Sequence, residues 1–301
     1  MPLSSLSALA AALPWFYPAV AFVLGAAFGS FLNVIIHRVP AGQSIVRPPS
    51  HCDCGAPIAW YDNIPIASWL ARRGRARCCG RPFTIRYPAV ELLTALLFLA
   101  CWRLFPPAVA ICGWIFLSCL VAATFIDLDH MMIPDSLTIG LGVAGVLLSF
   151  LVPGLHGDRS AGYALASLHS GIAGLQGLLI GSGLVLWIAL IAGALLKKEA
   201  MGFGDVKFLG AIGAFCGWRG AVFALFGGAV VGTAALALFL LWRKILPLRS
   251  PEPKPGKPAA TLPGFGSHVP FGPMLAAAAA IYFLALHGPV DAWFERFTAL
   301  L

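Results

Sequence analysis

Asp127 and Asp205 are the residues whose type and setting most directly suggest chemistry. Each stands where a long apolar run meets a polar, basic stretch, in Phe125-Ile126-Asp127-Leu128-Asp129 and in Gly202-Phe203-Gly204-Asp205-Val206-Lys207. An ionised carboxylate beside hydrocarbon is costly and needs a reason to be there. Two carboxyls a few ångströms apart do not both ionise easily, so such a pair holds one proton between them. That arrangement can hydrolyse a peptide bond: one carboxylate takes a proton from water, and the protonated partner polarises the scissile carbonyl. The same residues also suit a proton- or ion-coupled transporter, because paired intramembrane acids line ion pathways. On these residues alone both readings stand.

The local sequence fits a site at either acid. Glycines on both sides of Phe203 allow close approach of backbone, so a substrate strand could lie beside Asp205 across Gly202, Phe203 and Gly204. Pro134 disfavours helix at Ile133, which predicts a break after Asp127 and a restart near Asp135, read as an N-cap. Asp129 reads as an interfacial companion of Asp127, and His130 as a surface group. Lys207, two residues beyond Asp205, is a substrate-side cation, although helical spacing turns it to another face.

The elements that must hold these acids are membrane helices. Of 301 residues, 59% are hydrophobic and only 11% charged, with a mean hydropathy of +0.88. A soluble domain carries about 25% charged residues. An open sheet would leave unpaired edges in lipid, and a barrel would show short alternating segments rather than these continuous runs. The chain therefore reads as an all-α polytopic membrane protein with about eight transmembrane helices and a small cytoplasmic loop domain. Helix cores are expected at 15–35, 89–104, 107–126, 137–153, 172–196, 203–217, 220–242 and 271–287. The organisation is a first helix in 1–36, a Cys/Arg-rich domain in 37–88 and a membrane-embedded domain in 89–301. The stretch from Met1 lacks a basic segment and leads into apolar sequence, so it is read as a retained span rather than a cleaved signal.

Lys and Arg set the orientation. Eight arginines fall between Arg38 and Arg86, against Asp53 and Asp62. Placing that loop inside also puts inside 127–136, 197–202 with Lys197 and Lys198, and 243–270 with Arg243, Lys244, Arg249, Lys254 and Lys257. Asp127 and Asp205 then share the cytoplasmic side. The Pro-, Gly- and Lys-rich stretch Ser250–Pro273 reads as a connection to the last span. The basic loop is read as cytoplasmic, and no nucleic-acid partner is expected.

Resemblance separates the two readings of the acids. Gly202-Phe203-Gly204-Asp205 with Lys207 is similar to the glycine-x-glycine-aspartate signature of intramembrane aspartic proteases. With Asp127 followed by Ile133-Pro134-Asp135, it resembles the type IV prepilin peptidases. Gly29-Ser30-Phe31-Leu32-Asn33 with His37-Arg38-Val39-Pro40 resembles that family's first motif. Asn63-Ile64-Pro65, Ser68-Trp69-Leu70, Arg86-Tyr87-Pro88 and Glu91-Leu92 resemble its cytoplasmic domain, and Pro270-Phe271-Gly272-Pro273 the start of its last helix. By position, Asp127 and Asp205 correspond to the two catalytic aspartates.

The resemblance implies a two-step enzyme of the bacterial inner membrane with its active site facing the cytoplasm. It would cut the basic leader from prepilins and pseudopilins, then methylate the new N-terminus with S-adenosylmethionine. Pili, type II secretion and DNA uptake are all settings for such substrates. No Gly-rich strand–turn–helix fingerprint for the methyl donor is present, so that activity rests on the resemblance, and a bare peptidase is the alternative.

The basic loop also holds Cys52, Cys54, Cys78 and Cys79. Family members carry two Cys-x-x-Cys pairs here, consistent with structural Zn2+. This chain instead has Cys52-x-Cys54 and adjacent Cys78 and Cys79, with His51 as a substitute ligand, so zinc and reduced thiols both stand. Cys101, Cys112, Cys119 and Cys216 read as small buried side chains. His37 and Arg38 read as snorkelling and as compensating the helix C-terminal dipole, Glu91 as a buried polar anchor or a positioning group, and Trp60, Trp69, Trp102, Trp114 and Trp218 as mostly interface anchors.

Overall fold

The computed structural model describes residues 12–52, 54–157, 162–197, 202–245 and 270–299. Among them there is no β-strand, only two isolated bridges. The chain forms two compact units, 1–122 and 123–301.

In the first unit, α1 (Phe16–Arg38) packs along α3 (Arg86–Leu104). Gly25 and Gly29 of α1 pass directly against the α3 backbone at Ala95 and Glu91. Between them lie a 3₁₀ turn at Trp60–Asn63 and the short α2 (Ala67–Ala71). Pro88 sits in the first turn of α3, where a missing N–H costs nothing. The next helix, α4 (Pro107–His130), carries the boundary between the units. Trp114 is not an interface anchor. It stacks on Phe98 with ring centroids 4.8 Å apart and donates its Nε1–H to the Phe98 carbonyl at 3.0 Å. Nor does Arg38 snorkel: it is buried and donates to the carbonyls of Ser44 at 3.1 Å and Pro48 at 2.8 Å, strapping the segment that leaves α1.

The second unit contains the end of α4, then α5 (Asp135–Leu151), α6 (Tyr163–Leu196), α7 (Phe203–Ile245), α8 (Gly272–Ile281), a π turn at Tyr282–Leu286 and α9 (His287–Thr298). Helix α6 starts nine residues ahead of the expected 172 because no Gly or Pro interrupts Tyr163–Ser170. Helix α7 is the central element and packs on α5, α6 and α8. It is broken at Gly217, whose φ of 69° and ψ of 176° reverse the chain. A Cβ at Gly213 would stand 3.3 Å from that of Ala221, so the two halves fold back on each other. Positions Gly220 and Gly228 then lie against Tyr282 and Leu275, running antiparallel to α8. Counted across this break, the eight expected helices are present. Six helices are long and apolar enough to cross a membrane, with Asp135–Leu151 a shorter apolar one. The protein is a multi-pass helical membrane protein.

The tightest crossing in this unit joins Gly177 of α6 to Gly213 of α7, where each carbonyl occupies the space a partner Cβ would need. A Gly177→Val change is therefore expected to abolish folding. Size-exclusion chromatography after extraction should show loss of the monodisperse protein, because backbone cannot move aside as a flexible side chain can. Ser149 ties the same layer together, donating to the Gly145 carbonyl at 2.7 Å and meeting His156 Nε2 at 2.9 Å. The expected connection across Ser250–Pro273 lies, up to residue 269, outside the described residues, as do Lys198, Asp158 and Arg159.

Candidate active site and cysteine cluster

Four chain segments of the second unit meet at one end: the last turn of α4, the link 131–134, and the first turns of α7 and α8. Asp127 lies in that last turn of α4, 6% exposed. Asp205 is in the first turn of α7, half-buried, its N–H donating to the Gly202 carbonyl at 3.1 Å. Ile133 stands between the segments that carry the two acids: a Cβ at Gly204, next to Asp205, would lie 3.7 Å from Ile133 Cβ, and one at Gly272, beside Asp127, 3.0 Å from Ile133 Cδ1. Oδ2 of Asp127 accepts the backbone N–H of Gly272 at 3.1 Å. That N–H opens α8, where helix N-termini leave donors unpaired and favour negative charge. A Cβ at Gly272 would stand 2.7 Å from Asp127 Oδ2 and 3.0 Å from Ile133 Cδ1, so only glycine brings this donor so near.

Ile133 is the buried spacer of the site. Its side chain lies beside Gly204 and beside Gly272. Pro134 holds extended backbone (ψ 142°) and itself precedes the first helical residue, so Asp135 is not the N-cap expected for α5 and makes no capping bond. Its carboxylate instead pairs with Lys207 Nζ at 2.7 Å. Lys207 also lies 5.5 Å from the centroid of the Phe203 ring, and Phe203 is 65% exposed. Gly202, Phe203, Gly204 and Lys207 are thus gathered around Asp205, with Lys207 turned to Asp135. Sequence reasoning missed the Gly272–Asp127 bond. Pro273, just inside the start of α8, was the available signal for a helix N-terminus there.

Glu91 is a polar anchor. Its Oε2 accepts the N–H of Ile66 at 2.7 Å. Ile66 has φ 60° and ψ −51°, a costly conformation for a β-branched residue, so Glu91 fixes a strained turn between the 3₁₀ turn and α2. Asp129 and His130 are exposed at the end of α4.

In the first unit the four loop cysteines come together. Their Sγ atoms all lie within 4.8 Å of one another. Cys52 and Cys79 are 3.7 Å apart, and Cys54 and Cys78 are 3.3 Å apart. A tetrahedral zinc with Zn–S near 2.3 Å sets its sulfurs roughly 3.8 Å apart, so this donor set fits the ion despite its irregular spacing. Two similar turns deliver it. Cys52 N–H donates to the Ala56 carbonyl, Ala76 N–H donates to the Arg81 carbonyl, and each turn is closed by an isolated bridge. A backbone hydrogen bond at Ala56, and then the Cys78 thiol, bring the Cys54 thiol down to about 7. A thiolate is the form that binds metal. Cys78, donating to Cys54, is pushed up to about 12. His51 is not in the cluster; its Nδ1 contacts the Pro49 carbonyl at 3.3 Å.

Two family descriptions match the chain: the bacterial peptidase A24 N-terminal domain over residues 23–105, and the type IV leader peptidase family over 114–238. Among curated relatives, a prepilin leader peptidase/N-methyltransferase of Myxococcus xanthus is 42% identical over 228 residues, covering 71% of this chain and 62% of the relative. One from Klebsiella pneumoniae is 39% identical over 219 residues, covering 70% and 90%. One from Aeromonas hydrophila is 36% identical over 307 residues, covering 92% and 93%. No solved structure matches. With both domains matched in order, and with relatives aligned over most of their length, this chain belongs to the type IV leader peptidase family.

Proposed function

We propose that this chain is a prepilin leader peptidase and N-methyltransferase in which Asp127 and Asp205 cut the leader. The convergence of the end of α4, which carries Asp127, and the start of α7, which carries Asp205, on Ile133 beside the start of α8 supports the reading. The substrates are prepilins and pseudopilins, presented from the lipid bilayer at the cytoplasmic face of the inner membrane, with type IV pili and type II secretion as settings. A backbone N–H can only donate, so the Gly272 bond favours the carboxylate form of Asp127 and makes it the base. Asp205 is then the acid. Asp127 takes a proton from water as the oxygen adds to the scissile carbonyl carbon, while Asp205 gives its proton to the carbonyl oxygen. Collapse of the tetrahedral species returns that proton to Asp205, breaks the C–N bond and passes the Asp127 proton to the leaving amine. Gly202, Phe203 and Gly204 line the approach to Asp205, and the Lys207–Asp135 pair holds the start of α7 against the link after α4.

The second step exchanges one proton of the new amine for a methyl group and leaves S-adenosylhomocysteine. The test of the whole reading is a mass measurement. Purified protein mixed with a model prepilin should release an intact leader peptide, and S-adenosylmethionine should then add the mass of one methyl to the mature chain. Accumulation of a solute in proteoliposomes, with the prepilin left uncut, would instead favour transport.

We propose further that Cys52, Cys54, Cys78 and Cys79 hold one structural Zn2+, which would supply folding energy to the 37–88 segment. Elemental analysis should find one zinc per chain, and Cys54→Ser with Cys79→Ser should lose it. Proteolysis of the loop should then quicken severalfold. An unchanged zinc content in that double variant would remove the assignment.

A further inference from the structure

Helix α6 carries a polar side chain on the side that faces away from the protein. Of the six helices long and apolar enough to cross a membrane, α6 is the least covered, with 11% of its most apolar stretch buried. Its covered side is the glycine seam, where Gly174, Gly177 and Gly181 meet Ser149, Gly213 and Leu209. The opposite side runs through Ile172, Gln176, Leu179 and Gly183, spaced as i, i+4, i+7 and i+11 along one helical stripe. Ile172 and Leu179 are 42% and 59% exposed, and Gln176 is exposed between them. Among the described residues, nothing donates to its carboxamide or accepts from it.

The depth of Gln176 follows from its neighbours on α5. Gly174 lies against Ser149 and Gly142 faces Leu178, so α5 and α6 run antiparallel and Gln176 falls near the level of Leu147. Leu147 is itself 57% exposed, and Leu151, one turn further out, 65%. Leucines turned outward on both sides of this level belong in acyl chains, not in water. A carboxamide carries two N–H donors and a carbonyl acceptor, and leaving them unpaired in hydrocarbon is costly.

We infer that two copies of this chain pair through this side of α6, with Gln176 of each copy hydrogen-bonded to Gln176 of the other. Every copy is inserted with the same sidedness, so the two-fold axis of a dimer stands along the membrane normal. Helices related by that axis lie side by side and parallel, and a residue near the axis meets its own equivalent. A carboxamide suits such a position because it is self-complementary: the N–H of one donates to the carbonyl of the other. Gly183, two turns along the stripe, has nothing within 4 Å of the place a Cβ would take. It leaves a notch in which the second backbone can come close, as small residues do between membrane helices. A substrate helix would need a polar group of its own at this depth, whereas a second copy brings one by symmetry. Helix α7, which carries Asp205, packs on the covered side of α6, so pairing leaves the approach to that acid open.

The test uses the full chain reconstituted in liposomes. Donor-labelled and acceptor-labelled copies are mixed, and energy transfer is followed as lipid is added. Wild type should associate. Gln176→Leu should weaken the association roughly tenfold, and Gln176→Asn, which keeps the amide, should recover much of the loss. Gly183→Ile should weaken it too, by filling the notch. Leader cutting by each variant, expected at the wild-type rate, shows that it is folded. A photo-crosslinking p-benzoylphenylalanine placed at Leu179 of the otherwise native chain should join two copies. A wild-type protein that stays monomeric at high density, or Gln176→Leu pairing as tightly as wild type, would overturn the inference. So would crosslinking from Leu179 to an added prepilin or to lipid alone.

Discussion

Asp127→Asn and Asp205→Asn should each lower leader cutting on the order of a thousandfold or more while leaving the protein inserted and monodisperse. The size follows from what is removed. General acid–base steps contribute roughly 10²–10⁴-fold each, and an amide can serve neither as the proton acceptor from water nor as the acid towards the carbonyl. The fold should survive because the amide is nearly the same shape. In Asp127→Asn the side-chain oxygen can still accept the Gly272 N–H, the one backbone bond the structure gives that carboxylate. Effects of the two changes should not multiply, since two groups that act as one unit lose nearly everything with the first loss. A mass-resolved time course on a model prepilin checks this. Cutting at near wild-type rate in either single variant would end the assignment of the pair.

The second large effect is expected at a residue that carries no side chain. Gly272→Val should cut the rate roughly a hundredfold, chiefly in kcat. A Cβ there would stand 2.7 Å from Asp127 Oδ2 and 3.0 Å from Ile133 Cδ1, so either the carboxylate or the start of α8 must move. A displacement of about 1 Å in a reacting group is enough for a loss of that size. The KM should change little, because Gly202, Phe203 and Gly204, which line the proposed substrate approach, belong to another helix. Gly272→Ala should fall between the two, with its N–H still available but pushed away. If steady-state kinetics show Gly272→Val cutting as fast as wild type, the start of α8 does not position Asp127.

Much of this was legible from residue order. Apolar runs broken by basic stretches gave the helices, and Asp127 and Asp205 stood out because acids at the ends of such runs are costly. The break in α7 was legible as well, since 203–217 and 220–242 were read as two segments and the chain reverses at Gly217 between them. What was hidden depends on partners far along the chain. Nothing local to Asp135 says that it pairs with Lys207 rather than capping its own helix. The spacing of Lys207 from Asp205 correctly turned it aside, but could not name where it went. The bond from Gly272 to Asp127 spans more than a hundred residues, and Pro273 marked only the helix start. The irregular cysteine spacing left zinc and reduced thiols both open. Two turns closed by Ala56 and Arg81 carbonyls bring the four sulfurs together without the usual pairs.

The reversal at Gly217 bears on how the protein would be mapped in cells. Reporter fusions and cysteine labelling read sidedness from hydrophilic segments, and between Cys216 and Trp218 there is no such segment to carry a tag. A count of spans that took Phe203–Ile245 as one crossing would invert the sidedness of every later part of the polypeptide, including the start of α8 that holds Asp127, and a label placed beyond Ile245 would expose the error.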